Sequence, residues 1–140
     1  MPDPIRIILV DDHELVRESW KLLLDQDQRF TVIAQCSNGE DAVEQARALL
    51  PDIMLMDINM APLNGFEATE RITATAPLVK VIGVSANNNP RYAIKLLALG
   101  GKGFVTKTSA FDELKIAIQT VYDGENYLCH EIRSKSPDKD

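Results

Sequence analysis

The stretch Ile53-Met54-Leu55-Met56-Asp57 constrains the fold more than any other part of the chain. An unbroken apolar run of strand length, introduced by Pro51-Asp52, reads as a central strand of a parallel sheet covered on both faces. A strand buried in that way should stay apolar, yet this one delivers a carboxylate at its C-terminal end. In open α/β sheets ligands bind outside the carboxyl ends of the strands, so Asp57 stands where chemistry is expected rather than packing.

The rest of the chain repeats the pattern. Ile5 to Val10 is apolar except for Arg6 and runs into Asp11-Asp12, after which Val16, Trp20 and Leu23 recur at helical spacing between His13 and Leu24. Phe30 to Cys36 predicts an outer strand. Asn38, followed by Glu40 and Asp41, predicts a helix start, with Ala42, Val43, Ala46 and Leu49 on one face before Pro51. Beyond Asp57, the loop from Asn59 to Gly65 leads into a helix from about Phe66 to Ala74 that must end before Pro77. Val79 to Val84 predicts a fourth strand running into Ser85-Ala86, and Asn89-Pro90 the N-cap and first residue of a helix stopped by Gly100-Gly101. Lys102 to Thr106 is a short fifth strand ending at Lys107. Ser109 is expected to cap a last helix that buries Leu114, Ala117, Ile118 and Val121 and ends at Gly124.

Strands alternating with helices, five of each, predict an α/β fold with a flavodoxin-like doubly wound parallel sheet in the order 2-1-3-4-5. That order brings Asp11-Asp12, Asp57, Ser85 and Lys107, each at the end of its own strand, to one edge of the sheet. A chain of 140 residues with 45% hydrophobic and 26% charged residues suits one such domain. Its net charge of −6 argues against a surface that binds nucleic acid by itself, which would need clustered Lys and Arg. No apolar run is long enough to span a membrane and no signal-peptide pattern opens the chain, so a soluble cytoplasmic protein is expected. Cys36 and Cys129 make neither a disulfide framework nor a metal-ligand spacing, and read as a half-buried strand thiol and a tail thiol.

Three clustered carboxylates repel one another unless a cation or a lysine neutralises them. Oxygen ligands suit Mg²⁺, with Mn²⁺ as a substitute, far better than zinc. A carboxylate beside such a metal can attack phosphorus and form an aspartyl phosphate, and the Ser85 hydroxyl and Lys107 ammonium would then hold the phosphoryl oxygens. Taken alone, Asp12 is as well explained as the N-cap of the next helix, and Ser85 or Lys107 as a loop hydroxyl or a solvated charge. The combination, each member at the end of a separate apolar strand, favours the chemical reading.

Val10-Asp11-Asp12-His13, Asp57-Ile58-Asn59-Met60, Ser85-Ala86 and Lys107 together resemble the receiver domain of two-component response regulators. Val16-Arg17, Asn64-Gly65-Phe66-Glu67-Ala68-Thr69, Leu99-Gly100-Gly101-Lys102-Gly103-Phe104 and Gly124-Glu125-Asn126-Tyr127-Leu128 resemble its NarL/FixJ (LuxR-family) branch. The resemblance covers about residues 4 to 128. It implies phosphorylation of Asp57 by a sensor histidine kinase, Mg²⁺ bound by Asp12, Asp57 and the Asn59 carbonyl with Asp11 acting through water, and switching by Ser85 and Phe104. The family also implies self-catalysed phosphorylation and dephosphorylation rather than turnover of a substrate, and homodimers on phosphorylation. On residues alone Phe104 is equally well read as a strand aromatic in the core. The chain departs from the family at Ala61-Pro62, where proline ordinarily follows Met60 directly, and at Thr108, where many receivers have proline.

Such receivers ordinarily precede a helix-turn-helix domain that regulates transcription. The residues after Leu128 are expected to be a polar linker or tail over 129–140, belonging either to a longer regulator or to a single-domain receiver that signals by contact. A phosphohydrolase of the haloacid dehalogenase type uses similar residues, but its nucleophile lies on the first strand and its acidic pair follows the lysine. A flavin-binding flavodoxin would need a hydroxyl-rich phosphate loop after the first strand, and a binding-only receiver would not need the full acidic, hydroxyl and lysine set.

Overall fold

The computed structural model describes residues 3–135. In chain order the elements are β1 (Ile5–Val10), α1 (Glu14–Asp25), β2 (Phe30–Cys36), α2 (Gly39–Leu49), β3 (Ile53–Asp57), α3 (Gly65–Thr75), β4 (Lys80–Ser85), α4 (Pro90–Ala98), β5 (Gly103–Thr106), α5 (Phe111–Tyr122), β6 (Tyr127–Leu128) and α6 (His130–Arg133). All neighbouring strands are parallel, in the order β2-β1-β3-β4-β5-β6. The expected strands stand in the expected order, and β6 and α6 add a sixth strand and a sixth helix to the five of each read from the sequence.

The sheet divides the interior into two layers, which explains why the central strands are apolar on both faces along most of their length. Ile7 and Leu9 of β1, Ile53 and Leu55 of β3, and Phe104 of β5 join Leu24, Leu96, Leu114 and Ile118 from α1, α4 and α5 on one face. Ile8, Val10, Met54 and Met56 point the other way, onto Ala42 and Ala46 of α2 and Ala68 and Ile72 of α3. Arg6, the one charge in β1, is used at the bottom of the sheet. Its guanidinium donates to the Leu49 and Leu50 carbonyls, both at 2.9 Å, where Leu50 closes α2 in the left-handed region at φ 46°.

Asn38 caps α2 by accepting from Asp41 N, and Asn89 caps α4 by accepting from Arg91 N with Pro90 next in line, both as the sequence predicts. Asn64 and Glu67 form a reciprocal capping box at the start of α3. Asn64→Ala is expected to cost about 1 kcal/mol of unfolding free energy, read from a urea melt.

Five expectations need correction. The N-cap of α5 is Ala110 without a side-chain bond, because the Ser109 hydroxyl lies 3.0 Å from that of Thr106 instead. On α1 the buried residue is Leu24, whereas Leu23 is 40% exposed. Leu49 is likewise exposed at the end of α2. Cys36 is buried rather than half-buried, and Cys129 is buried too, with Ile132, because residues 129 to 133 fold back over β5 rather than leaving as a tail. Residues 136–140 of the expected tail lie outside the described residues. The Ala61–Pro62 peptide is cis, and Lys107–Thr108 is trans.

Candidate functional site

The register places Asp57 beside Val84 of β4, and Ser85 beside Thr106 of β5, so the C-terminal ends of β1, β3, β4 and β5 open onto one pocket. Asp11 follows β1 directly. Its carboxylate folds back over the β1–α1 turn, where Oδ1 accepts from the His13 backbone N–H and lies 2.8 Å from the His13 ring Nδ1. The same Nδ1 is 3.0 Å from Asp12 Oδ1. Arg17, one turn into α1, donates to the Asp11 carbonyl at 2.6 Å and to Gln35 of β2 at 3.2 Å, and so holds the turn against the sheet.

Asp57 is fixed from the opposite side, its Oδ1 accepting from Asn59 N at 3.0 Å. Gly65, the first residue of α3, lets that helix start against the end of β3. A Cβ there would fall 2.7 Å from Ile58 Cα and against the Asp57 carbonyl oxygen. Lys107 Nζ reaches in from β5, 3.1 Å from Asp11 Oδ2 and 3.5 Å from Asp57 Oδ2. Its side chain is 23% exposed against 2% for either carboxylate. Close as the ammonium is, neither Oδ2 atom receives a well-directed hydrogen bond.

The electrostatics follow from this crowding. Burial pushes the Asp57 carboxyl up to about 6 and the charges of Asp11 and Asp12 add to it, against the Asn59 N–H and Lys107. Burial acts on Asp11 in the same sense, but hydrogen bonds from the His13 backbone and ring, with Lys107, outweigh it and hold its carboxyl below the usual range. Ligand atoms of Asp11, Asp12, His13 and Asp57 all lie within 4.8 Å of one another. Three carboxylates facing one ammonium, two of them with a buried oxygen lacking a proper donor, form a site that could hold a divalent cation.

The structure thus gathers Asp11, Asp12, Asp57 and Lys107. Asn59 enters through its backbone beside Asp57, and its side chain is exposed. Ser85 is fully buried at the rim, its Oγ accepting from Asn87 N at 2.9 Å and its carbonyl from Lys107 N at 2.8 Å. Phe104 is not in the pocket: it is fully buried in the core next to Gly83. His13 and Arg17 were missed as parts of the site. The contiguous Asp-Asp-His string was the available signal for the first, and nothing in the sequence alone pointed Arg17 at a carbonyl.

A doubly wound α/β protein with an acidic, lysine-bearing pocket at the carboxyl ends of its strands is the class that this fold and site define. The family profile described as the response regulator receiver domain matches residues 7–119. Response regulator GacA of Pseudomonas viridiflava is 34% identical over 128 residues, 91% of this chain and 60% of that protein. Transcriptional regulatory protein DegU of Brevibacillus brevis is 38% identical over 124 residues, 89% of this chain and 52% of that one. The crystal structure of a LuxR-family two-component response regulator from Aurantimonas sp. SI85-9A1 superposes with a TM-score of 0.90 at 30% identity, covering 94% of both chains. The chain belongs to the response regulator receiver domain family, among relatives of the LuxR-family regulators. It spans between half and three-fifths of the length of those curated relatives. Among the described residues, no helix is long and apolar enough to cross a membrane.

Proposed function

We propose that this chain is the phosphoacceptor of a two-component system and takes a phosphoryl group from a sensor histidine kinase onto Asp57. The observation that carries this reading is Asp57 Oδ2, a buried carboxylate oxygen without a directed donor, 3.5 Å from a lysine and inside an acidic cluster. As the P–O bond to Asp57 forms, the P–N bond to the donor imidazole breaks, and the kinase histidine leaves with the electron pair. With its carboxyl near 6, Asp57 is ionised and nucleophilic at neutral pH.

Asp12, Asp57 and the Asn59 carbonyl would hold Mg²⁺ or Mn²⁺, with Asp11 acting through water. The cation supplies charge compensation for the phosphoryl oxygens. Lys107 balances charge from the other side, and Ser85 turns from Asn87 N to donate to the phosphoryl group. Phe104 would follow Ser85 by changing rotamer, as its family resemblance implies. The chain acts in the cytoplasm, catalyses only its own phosphorylation and dephosphorylation, and dimerises when phosphorylated. Its output is control of transcription, a reading that the name of DegU, a transcriptional regulatory protein, supports, and a separate DNA-binding domain would carry it out.

Incubation with a small acyl phosphate, with and without Mg²⁺, followed by intact mass measurement tests the reading. A Mg²⁺-dependent phosphoryl adduct that vanishes in Asp57→Asn is expected. An adduct that survives this substitution, or none in the wild type, would sink it.

A further inference from the structure

Glu131, in the first turn of α6, is where three segments meet. Its Oε2 accepts from Asn88 Nδ2 at 2.9 Å, and its Oε1 from the hydroxyls of Thr106 and Thr108 at 2.7 and 3.0 Å. Asn88 lies in the loop after Ser85, while Thr106 and Thr108 flank Lys107 on the sequence. One ionised carboxylate on the C-terminal helix therefore ties together the loop that follows Ser85 and the end of β5 that leads into Lys107. Hydrogen bonds to an ionised acceptor are about twice as strong as neutral ones, so the tie is a firm one.

The loop itself is strung on side chains. Asn87 N donates to Ser85 Oγ at 2.9 Å, Asn89 N to Asn87 Oδ1 at 2.8 Å, and Arg91 N to Asn89 Oδ1 at 3.0 Å. The Ser85 hydroxyl is thus the first anchor of the segment, and the Asn88 amide is its link to α6. The helix has further attachments: Glu113 of α5 accepts from His130 N at 2.7 Å and from the Tyr127 hydroxyl at 2.8 Å, and Ile132 is buried in the core.

We propose that Glu131 makes α6 a strap whose docking is coupled to the state of Asp57, an inference that rests on the phosphoacceptor reading above. When the Ser85 hydroxyl turns toward a phosphoryl oxygen, Asn87 N–H loses its acceptor. The loop from Asn87 to Asn89 then shifts, and Asn88 withdraws from Glu131. With one of its two anchoring loops gone, the carboxylate no longer clamps α6, and the helix loosens. Linkage makes the effect reciprocal: whatever frees α6 beforehand eases occupation of Asp57, by up to the same factor when the helix is fully freed. The signal then leaves the site through the C-terminal helix.

The test uses the full chain, with beryllofluoride and Mg²⁺ as the phosphoryl analogue, and amide exchange at Arg133, Ser134 and Lys135, whose N–H groups close α6 onto the carbonyls of Cys129, His130 and Ile132. Occupation is followed independently through the amide shifts of Ile58 and Asn59. The analogue is expected to speed exchange at those three amides about tenfold. Glu131→Ala is expected to speed it without the analogue and to tighten analogue binding about fivefold, with Asn88→Ala acting in the same direction. Analogue binding that leaves α6 exchange unchanged, with equal affinities in wild type and both variants, would overturn the coupling alone. Failure of the analogue to bind the wild type would overturn the phosphoacceptor reading and the coupling with it.

Discussion

Asp57→Asn is expected to be more stable than the natural chain by about 2–3 kcal/mol at neutral pH without divalent cations, since burial pushes the Asp57 carboxyl from 3.8 to about 6. The folded chain holds this proton more tightly than the unfolded one, so stability falls as pH rises through the window between the two values. Below about pH 4 the carboxyl is protonated in both states and the substitution changes little. Above about pH 6 the folded state carries the full cost of a buried charge, and asparagine relieves it. Urea unfolding across this range should therefore show the two proteins diverging as pH rises. Adding Mg²⁺ should stabilise the natural chain and narrow the gap, since a ligand that binds only the folded state adds its binding free energy to stability. Curves that stay parallel at every pH would mean that Asp57 is solvated well enough to ionise freely.

Gly65→Ala is expected to damage fold and site together. The added methyl would meet the main chain of Asp57 and Ile58 and not the tip of a side chain, so relief requires the end of β3 and the start of α3 to move apart. Overpacking of this kind costs about 3 kcal/mol. Because the atoms displaced belong to Asp57 and its neighbour, the rate of adduct formation with an acyl phosphate should fall by about a hundredfold, as a shift on the order of 1 Å does in a positioned site. Asn64→Ala is the control: it weakens the same helix end without pressing on β3, and should lose stability while keeping the rate. A Gly65→Ala protein with unchanged rate and urea midpoint would show that α3 and β3 do not approach as closely as described.

Much of this architecture can be read from residue order, for identifiable reasons. Between Arg6 and the acidic ends, β1 and β3 are apolar at every position because both of their faces are buried, and those abrupt acidic ends leave only one place for the pocket. Asn38 and Asn89 announce their helices because a side-chain oxygen there satisfies an otherwise orphaned N–H. The failures arise where tertiary context overrode a local signal. Ser109 looks like a cap, yet its hydroxyl is engaged by Thr106. Leu23 and Leu24 are equivalent by spacing, and only the angle of α1 on the sheet buries the second. In the C-terminal segment two apolar positions, Cys129 and Ile132, sit among polar residues too few to show a period, so its docking on β5 could not be anticipated. The pocket residues were legible because each one ends a strand, whereas His13 and Arg17 act from the following turn and helix, where no periodic signal marks them.

The short strand β6 has a meaning for the protein's life in solution. β5 is an uncharged run, Gly103-Phe104-Val105-Thr106, and as the edge of a parallel sheet it would offer open main-chain groups to a strand from another molecule. Tyr127 N donates to the Lys102 carbonyl at 3.1 Å and Cys129 N to that of Phe104 at 3.0 Å, so those acceptors are already taken. The C-terminal segment thereby works as a guard against aggregation, keeping the β5 border of the sheet closed to intermolecular strand addition.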